Sequence, residues 1–170
     1  MKSNALVCAA VCVLHAICAP ALAADEPERY TLVDQQGAFS VITRNTLFSR
    51  SVIPFDKTYS ELSVVQQRLL RSAYVAMDDK DEPPFPAEGL RPLYLTIYRI
   101  SELFDFPFGK LLLYVTVDSH GVGQSIEVVS TPNAQFSNAV ANLLVLTRFK
   151  PAVCGGQPCT MQYPLCIVYR

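Results

Sequence analysis

From Lys110 onward the hydrophobic positions follow a period of two, then a helical period, then two again. Leu111, Leu113, Val115 and Val117 alternate with Tyr114, Thr116 and Asp118, the pattern of a half-buried strand. The following Asp-Ser-His-Gly is a turn: Asp118 can accept hydrogen bonds from the backbone just ahead, and Gly121 supplies a positive φ. Gln124 to Ser130 then returns as an antiparallel strand. Ser130, Thr131 or Asn133 caps a helix with Pro132 near its first turn, and Phe136, Ala139, Val140, Leu143 and Thr147 recur at helical spacing. After Arg148 to Val153, the segment CGGQPC reverses the chain, and Met161, Tyr163, Leu165, Ile167 and Tyr169 alternate again. The expected fold class is α+β. Residues 109–170 form a ββαβ unit in which one helix covers one face of a small antiparallel sheet, a two-layer sandwich.

Upstream, Ser63 to Gln66 fits a capping box. Leu62, Val65, Leu69, Ala73 and Ala76, with Leu70, Tyr74 and Met77 beside them, predict a helix of about four turns. Acids and prolines in DDKDEPPFP end it. A second helix is expected from about Gly89, with Pro92 in its first turn and Leu93, Ile97, Ile100 and Phe104 on one face. This helical pair, residues 56–108, runs into the C-terminal unit without a flexible spacer and is expected to pack on the sheet. Residues 24–55 hold two short apolar runs, YTLV and AFSVI, separated by DQQG, which predicts a hairpin or an extended arm. Met1 to Ala23 has a basic start, an apolar run and Ala-Leu-Ala before acidic residues, the features of a cleaved secretory signal peptide. The competing reading is an inner-membrane anchor formed by residues 5–24, against which His15, Pro20 and the small-residue box argue.

Val115, Val117 and Asp118 ahead of Gly121, then Val128 to Ser130, Phe136 and Ala139, then Arg148-Phe149-x-Pro151-Ala152 and Gly156-x-Pro158, resemble the C-terminal domain of TonB-type energy transducers. The resemblance covers about the last third of the chain. Two departures stand out: Thr147 occupies a position where members often carry Trp, and the long Pro-rich spacer and retained anchor typical of the family are not found in this sequence. The resemblance implies a non-enzymatic periplasmic module that binds a protein partner of the cell envelope, such as a TonB-dependent outer-membrane receptor, by adding an extended receptor segment to a sheet edge. Without an anchor such a protein would not transmit force from an inner-membrane motor, so a stand-alone adaptor, assembly factor or regulator using the same surface fits equally well.

Charge and cysteines narrow the classes further. Cleavage after residue 23 of 170 leaves 147 residues, and loss of Lys2 leaves 13 basic against 15 acidic residues, a net charge of −2 that argues against nucleic acid as a partner. Three of the six cysteines leave with the signal peptide, and Cys154, Cys159 and Cys166 remain in a disulfide-permitting compartment. Cys154 and Cys159 flank a four-residue reversal, which suits a structural bridge. An alternative function is a thiol-redox protein using that pair, although redox motifs usually space their cysteines as C-x-x-C at a helix start. Cys166 is too far along the strand to join them and is expected as a buried thiol, with pairing between chains as the alternative.

The remaining candidates for chemistry are weak. Asp118, Ser119 and His120 hold the residue types of a hydrolase triad, but three consecutive turn residues cannot place a base between nucleophile and acid. Gly121 to Gly123 lacks the third glycine of a dinucleotide loop. Asp78, Asp79, Asp81 and Glu82 lack the spacing of a calcium loop and predict a solvated connector. No metal, cofactor or catalytic residue is assigned. The candidate site is an edge strand, because a helical crossover brings the last strand alongside the first and leaves it outermost, where Pro164 is tolerated. It runs over Thr160, Met161, Gln162, Tyr163, Leu165, Cys166, Ile167, Val168 and Tyr169. The alternative is that residues 24–55 or a second copy of the chain, as in a homodimer, covers it. Delivery is directly testable: the mature protein should begin at Ala24 by intact mass, and a membrane-bound species retaining residues 1–23 would contradict the signal peptide.

Overall fold

The computed structural model describes residues 30–33, the strand at 40–42 and residues 52–170, so residues 1–23, where a signal peptide is expected, and most of residues 24–55, where a hairpin or an extended arm is expected, lie outside the described residues. The chain folds as a mixed α+β protein. Its frame is a four-stranded sheet. Strand β1 is Ser40–Ile42. Helices α1 (Val64–Arg71) and α2 (Leu90–Leu103) follow, with the two-residue strand β2 (Phe85–Pro86) between them. Then come β3 (Gly109–Val117), β4 (Gly123–Ser130), helix α3 (Ala134–Leu146), the short strands β5 (Phe149–Lys150), β6 (Ala152–Cys154) and β7 (Gln157–Cys159), and finally β8 (Met161–Tyr169). The sheet order is β1-β8-β3-β4. Among the described residues no helix is long and apolar enough to cross a membrane.

Local rules account for the C-terminal elements. In the β3–β4 turn, Asp118 Oδ1 accepts from the His120 and Val122 amides at 2.8 and 2.9 Å, and Oδ2 accepts from Gln124 Nε2 at 2.7 Å. Gly121 has φ 77°, and a Cβ there would lie 2.0 Å from the Phe149 carbonyl oxygen, so only glycine fits where the turn packs on β5. Asn133 caps α3 through its side chain, accepting from the Phe136 amide at 2.9 Å. The alternation in β3 and β8 buries Leu111, Leu113, Val115 and Val117 with Tyr163, Leu165, Ile167 and Tyr169, against Phe136, Val140 and Leu144 of α3 and Leu93 and Ile97 of α2. Phe136 sits between Phe104 and Tyr169, both edge-to-face, at 5.9 and 5.4 Å. One core therefore joins the helical pair to the sheet.

Two expectations are corrected here. The first helix is half as long as its stripe predicts: it starts at the Ser63–Gln66 capping box but ends at Ser72. The backbone beyond it turns to pair with residues 31–33, through Val33 N–H to the Ala73 carbonyl and Val75 N–H to the Thr31 carbonyl at 2.9 and 2.8 Å. Val65, placed on the apolar stripe, is instead 71% exposed. The acidic run is likewise not a solvated connector throughout. Asp81 is 2% exposed, and its carboxylate accepts from the Tyr30 hydroxyl at 2.7 Å and the Gly155 amide at 2.8 Å. A carboxylate is tolerated in that position because distant donors meet it. Glu82 exchanges backbone hydrogen bonds with Val153 and pairs with Lys150 at 2.9 Å. Burial pushes the Lys150 ammonium down from its usual range, and Glu82 opposes the shift.

The turn has a pH signature. Burial alone would raise the Asp118 carboxyl, but hydrogen bonds from Val122, His120 and Gln124 outweigh it and hold the group below its ordinary range. A depressed folded value stabilises the fold above the unfolded value, and that contribution is lost as pH falls through the folded one. The stability of wild type in chemical denaturation should therefore fall on acidification below about pH 4, and Asp118→Asn should flatten that fall while lowering stability at neutral pH. Identical acid profiles for the two proteins would refute the assignment.

Candidate functional site: the two edges of the sheet

The two strands that flank β3 differ in how they present their backbones, β4 lying outermost and β8 lying between β3 and the short β1. Strand β4 pairs only with β3 among the described residues, and the register slips twice. Leu112 faces Ser130 while Leu113 faces Val128, leaving Val129 as an extra residue; Thr116 faces Ser125 while Val117 faces Gly123, leaving Gln124 as another. Such bulges bend an edge away from further pairing. Val128 and Val129 are nonetheless 44% and 46% exposed.

Strand β8 is regular. Its nine residues pair antiparallel with β3 from Met161 opposite Val117 to Tyr169 opposite Gly109. On its other side, Ser40, Val41 and Ile42 run parallel to Ile167, Val168 and Tyr169. The sequence expectation of an open edge along the whole of Thr160 to Tyr169 is thus corrected: residues 40–42, within the N-terminal segment, cover its last three positions, the alternative weighed for this edge. At the opposite end, the Gln162 carbonyl accepts from the Tyr74 hydroxyl at 2.6 Å. Thr160 precedes the strand. Met161, Tyr163, Leu165, Cys166, Ile167 and Tyr169 are buried, so what β8 offers a neighbour is backbone more than side chain.

Beside the middle of β8 lies an apolar cavity of about 40 Å³ lined by Tyr74, Pro83, Pro84, Tyr94, Tyr163 and Pro164 among others. Sequence reasoning missed it, because Tyr74 reads as one more position of a helical stripe and the prolines as a helix terminator. The available signal was Tyr74 ahead of the acidic run and Pro83, Pro84 and Phe85 directly after it. Burial raises the Tyr163 hydroxyl well above its usual range, so it stays protonated.

Cys154 and Cys159 form a disulfide, with Cα atoms 5.8 Å apart. The reversal is tighter than four residues: β6 and β7 pair Cys154 with Gln157 across a two-residue Gly155-Gly156 turn, both glycines at positive φ, and Cys159 lies opposite Ala152. The bridge is therefore diagonal, and it sits in a hairpin, not at a helix start. Cys166 is a buried thiol. Asp118, Ser119 and His120 lie together in the turn, where Asp118 is engaged by backbone amides. Among the described residues no cluster of His, Cys, Asp or Glu is arranged to hold a metal ion. Comparison with protein-family models, with curated proteins and with solved structures finds no match.

The disulfide has a measurable consequence. Closing so short a loop constrains the unfolded chain modestly, so Cys154→Ser should cost about 2 kcal/mol in urea denaturation without abolishing folding. A variant as stable as wild type would show the bridge to be thermodynamically silent.

Proposed function

We propose that this chain is a non-enzymatic interaction module of the cell envelope, similar to a TonB C-terminal domain, that captures an extended segment of a protein partner by strand addition on β8. In this reading β3, β4, α3 and β8 are the ββαβ two-layer sandwich, the location is the periplasm, and the partner class is an outer-membrane receptor of the TonB-dependent kind. The observation that carries it is the parallel seating of Ser40–Ile42 on β8: an extended segment is held on that edge by backbone pairing. The contrast between the two edges adds support. The β4 edge is bulged twice, whereas β8 is straight along its ladder with β3. The Cys154–Cys159 bridge fits an oxidising compartment, and its place in a short hairpin favours a structural role over thiol-redox chemistry.

Capture from envelope extract, followed by direct binding of the captured protein, tests the reading. Val168→Pro, in the part of β8 that faces both β1 and β3, should weaken binding by about tenfold or more, while Val128→Pro on the β4 edge should leave it unchanged. Equal binding by wild type and Val168→Pro, with circular dichroism showing both folded, would exclude β8 as the docking edge.

A further inference from the structure

A cleft with no wall from β8 lies between the start of α2 and the end of α3. Its volume of about 270 Å³ is that of a small-metabolite site, since about 150 Å³ suffices for benzene in a dry core. Two backbone constraints hold its rims. The Ala87 N–H donates to the Arg148 carbonyl at 3.0 Å, continuing the pairing of β2 with β5. Gly89, at φ 80°, lets α2 begin against residue 57: a Cβ there would lie 2.8 Å from the Lys57 carbonyl oxygen. Of the apolar lining, Leu93 is buried, Leu143 half-buried and Leu146 81% exposed, so an occupant resting on Leu146 would withdraw it from water.

The polar lining is rich in acceptors and poor in donors. The Thr96 hydroxyl donates to the Pro92 carbonyl at 3.0 Å and the Thr147 hydroxyl to the Leu143 carbonyl at 2.8 Å, so each has only lone pairs left for a ligand. Glu88 adds a carboxylate, and the last turn of α3 adds the negative end of a helix. Arg148 is the cation among the described lining residues. Neither Glu88 nor Arg148 takes part in an ion pair or a side-chain hydrogen bond among the described residues. Their Cα atoms are at most about 9 Å apart, one chain step beyond a hydrogen-bonded antiparallel pair, so one ligand can reach both. The start of α2 offers little to an anion, because the Arg91 amide is given to the Phe55 carbonyl at 2.7 Å and Pro92 has none. A fitting ligand therefore donates several hydrogen bonds on one side and offers an anion to a guanidinium on the other.

We propose that this cleft binds a free apolar α-amino acid. Arg148 takes the α-carboxylate as a bidentate pair, Glu88 and the hydroxyl oxygens of Thr96 and Thr147 take the ammonium, and the side chain lies on Leu93, Leu143 and Leu146. A fatty acid or an inorganic anion would satisfy Arg148 but set a second negative charge beside Glu88 and give the two hydroxyl oxygens no donor. An amine without a carboxylate would leave Arg148 unmatched. The site shares no residue with β8, so this small-molecule function goes beyond strand addition and does not depend on it.

The probes are L-leucine, L-methionine and L-phenylalanine, titrated into the full chain by calorimetry and by amide chemical shifts. At least one should bind with Kd below about 1 mM and move the amides of Thr96, Leu146 and Thr147. For the tightest of them, the amide that lacks the carboxylate, the acid that lacks the ammonium, and glycine, which lacks the apolar side chain, should each bind about tenfold or more weakly. Glu88→Gln and Arg148→Gln change exposed side chains and should each weaken binding by about tenfold or more, with circular dichroism showing both variants folded. No binding of any of the three at about 10 mM would overturn the site. So would binding that survives unchanged in both variants, or an acid lacking the ammonium that binds as tightly as the amino acid.

Discussion

The nine-residue antiparallel ladder between β3 and β8 is the constraint on which the rest of the structure depends. It joins the two strands whose inward side chains are most completely buried, and it brings the last strand of the chain beside the first strand of the C-terminal unit. Leu111, Leu113, Val115 and Val117 then share one apolar surface with Leu165 and Ile167, wide enough for α3 and α2 to lie on it. Each such aliphatic side chain withdrawn from water stabilises the fold by roughly 1.5–3 kcal/mol, so the ladder and the helix layer hold one another. Because β4 takes the far side of β3, the outer side of β8 is left to be managed by something else.

How each edge is managed connects the fold to function. Val129 and Gln124 are the surplus residues that bulge β4, and Gln124 turns its side chain back to Asp118. That edge is closed by local distortion. On β8 the Tyr74 hydroxyl meets Gln162 at one end and β1 pairs with the other. Between them lie Tyr163 and Pro164, beside the cavity. The outer side of β8 is thus met by backbone pairing at its Ile167 end and by a tyrosine hydroxyl at Gln162, and the strand addition proposed above would use the same backbone groups.

What was legible in the sequence is what local chemistry decides. The β3–β4 turn could be read from Asp118 and Gly121, the α3 cap from Asn133, the start of α1 from Ser63 and Gln66, and the disulfide from the spacing of Cys154 and Cys159. The parts that could not be read depend on residues far apart in the chain. Nothing near Ser72 ends α1; the exchange between Ala73–Val75 and Thr31–Val33 does. Asp81 looks solvated until Tyr30 and the Gly155 amide reach it. Pairing of Ser40–Ile42 with Ile167–Tyr169 joins segments far apart in the chain, and a run of three residues carries too little periodicity to announce a strand. The cavity beside β8 needs several distant placements at once, because its walls come from α1, the proline segment, α2 and β8.

The central claim is that β8 receives an extended segment in parallel on its outer side. Backbone nuclear Overhauser effects in the full chain test it most directly. The expected result is a set of parallel cross-strand contacts linking Val41 to its neighbours at Ile167, Val168 and Tyr169, with slow amide exchange at the outward-facing positions of that stretch. Absence of those contacts, together with outer amides of β8 that exchange as freely as solvent-exposed ones while the β3-facing amides stay protected, would contradict it.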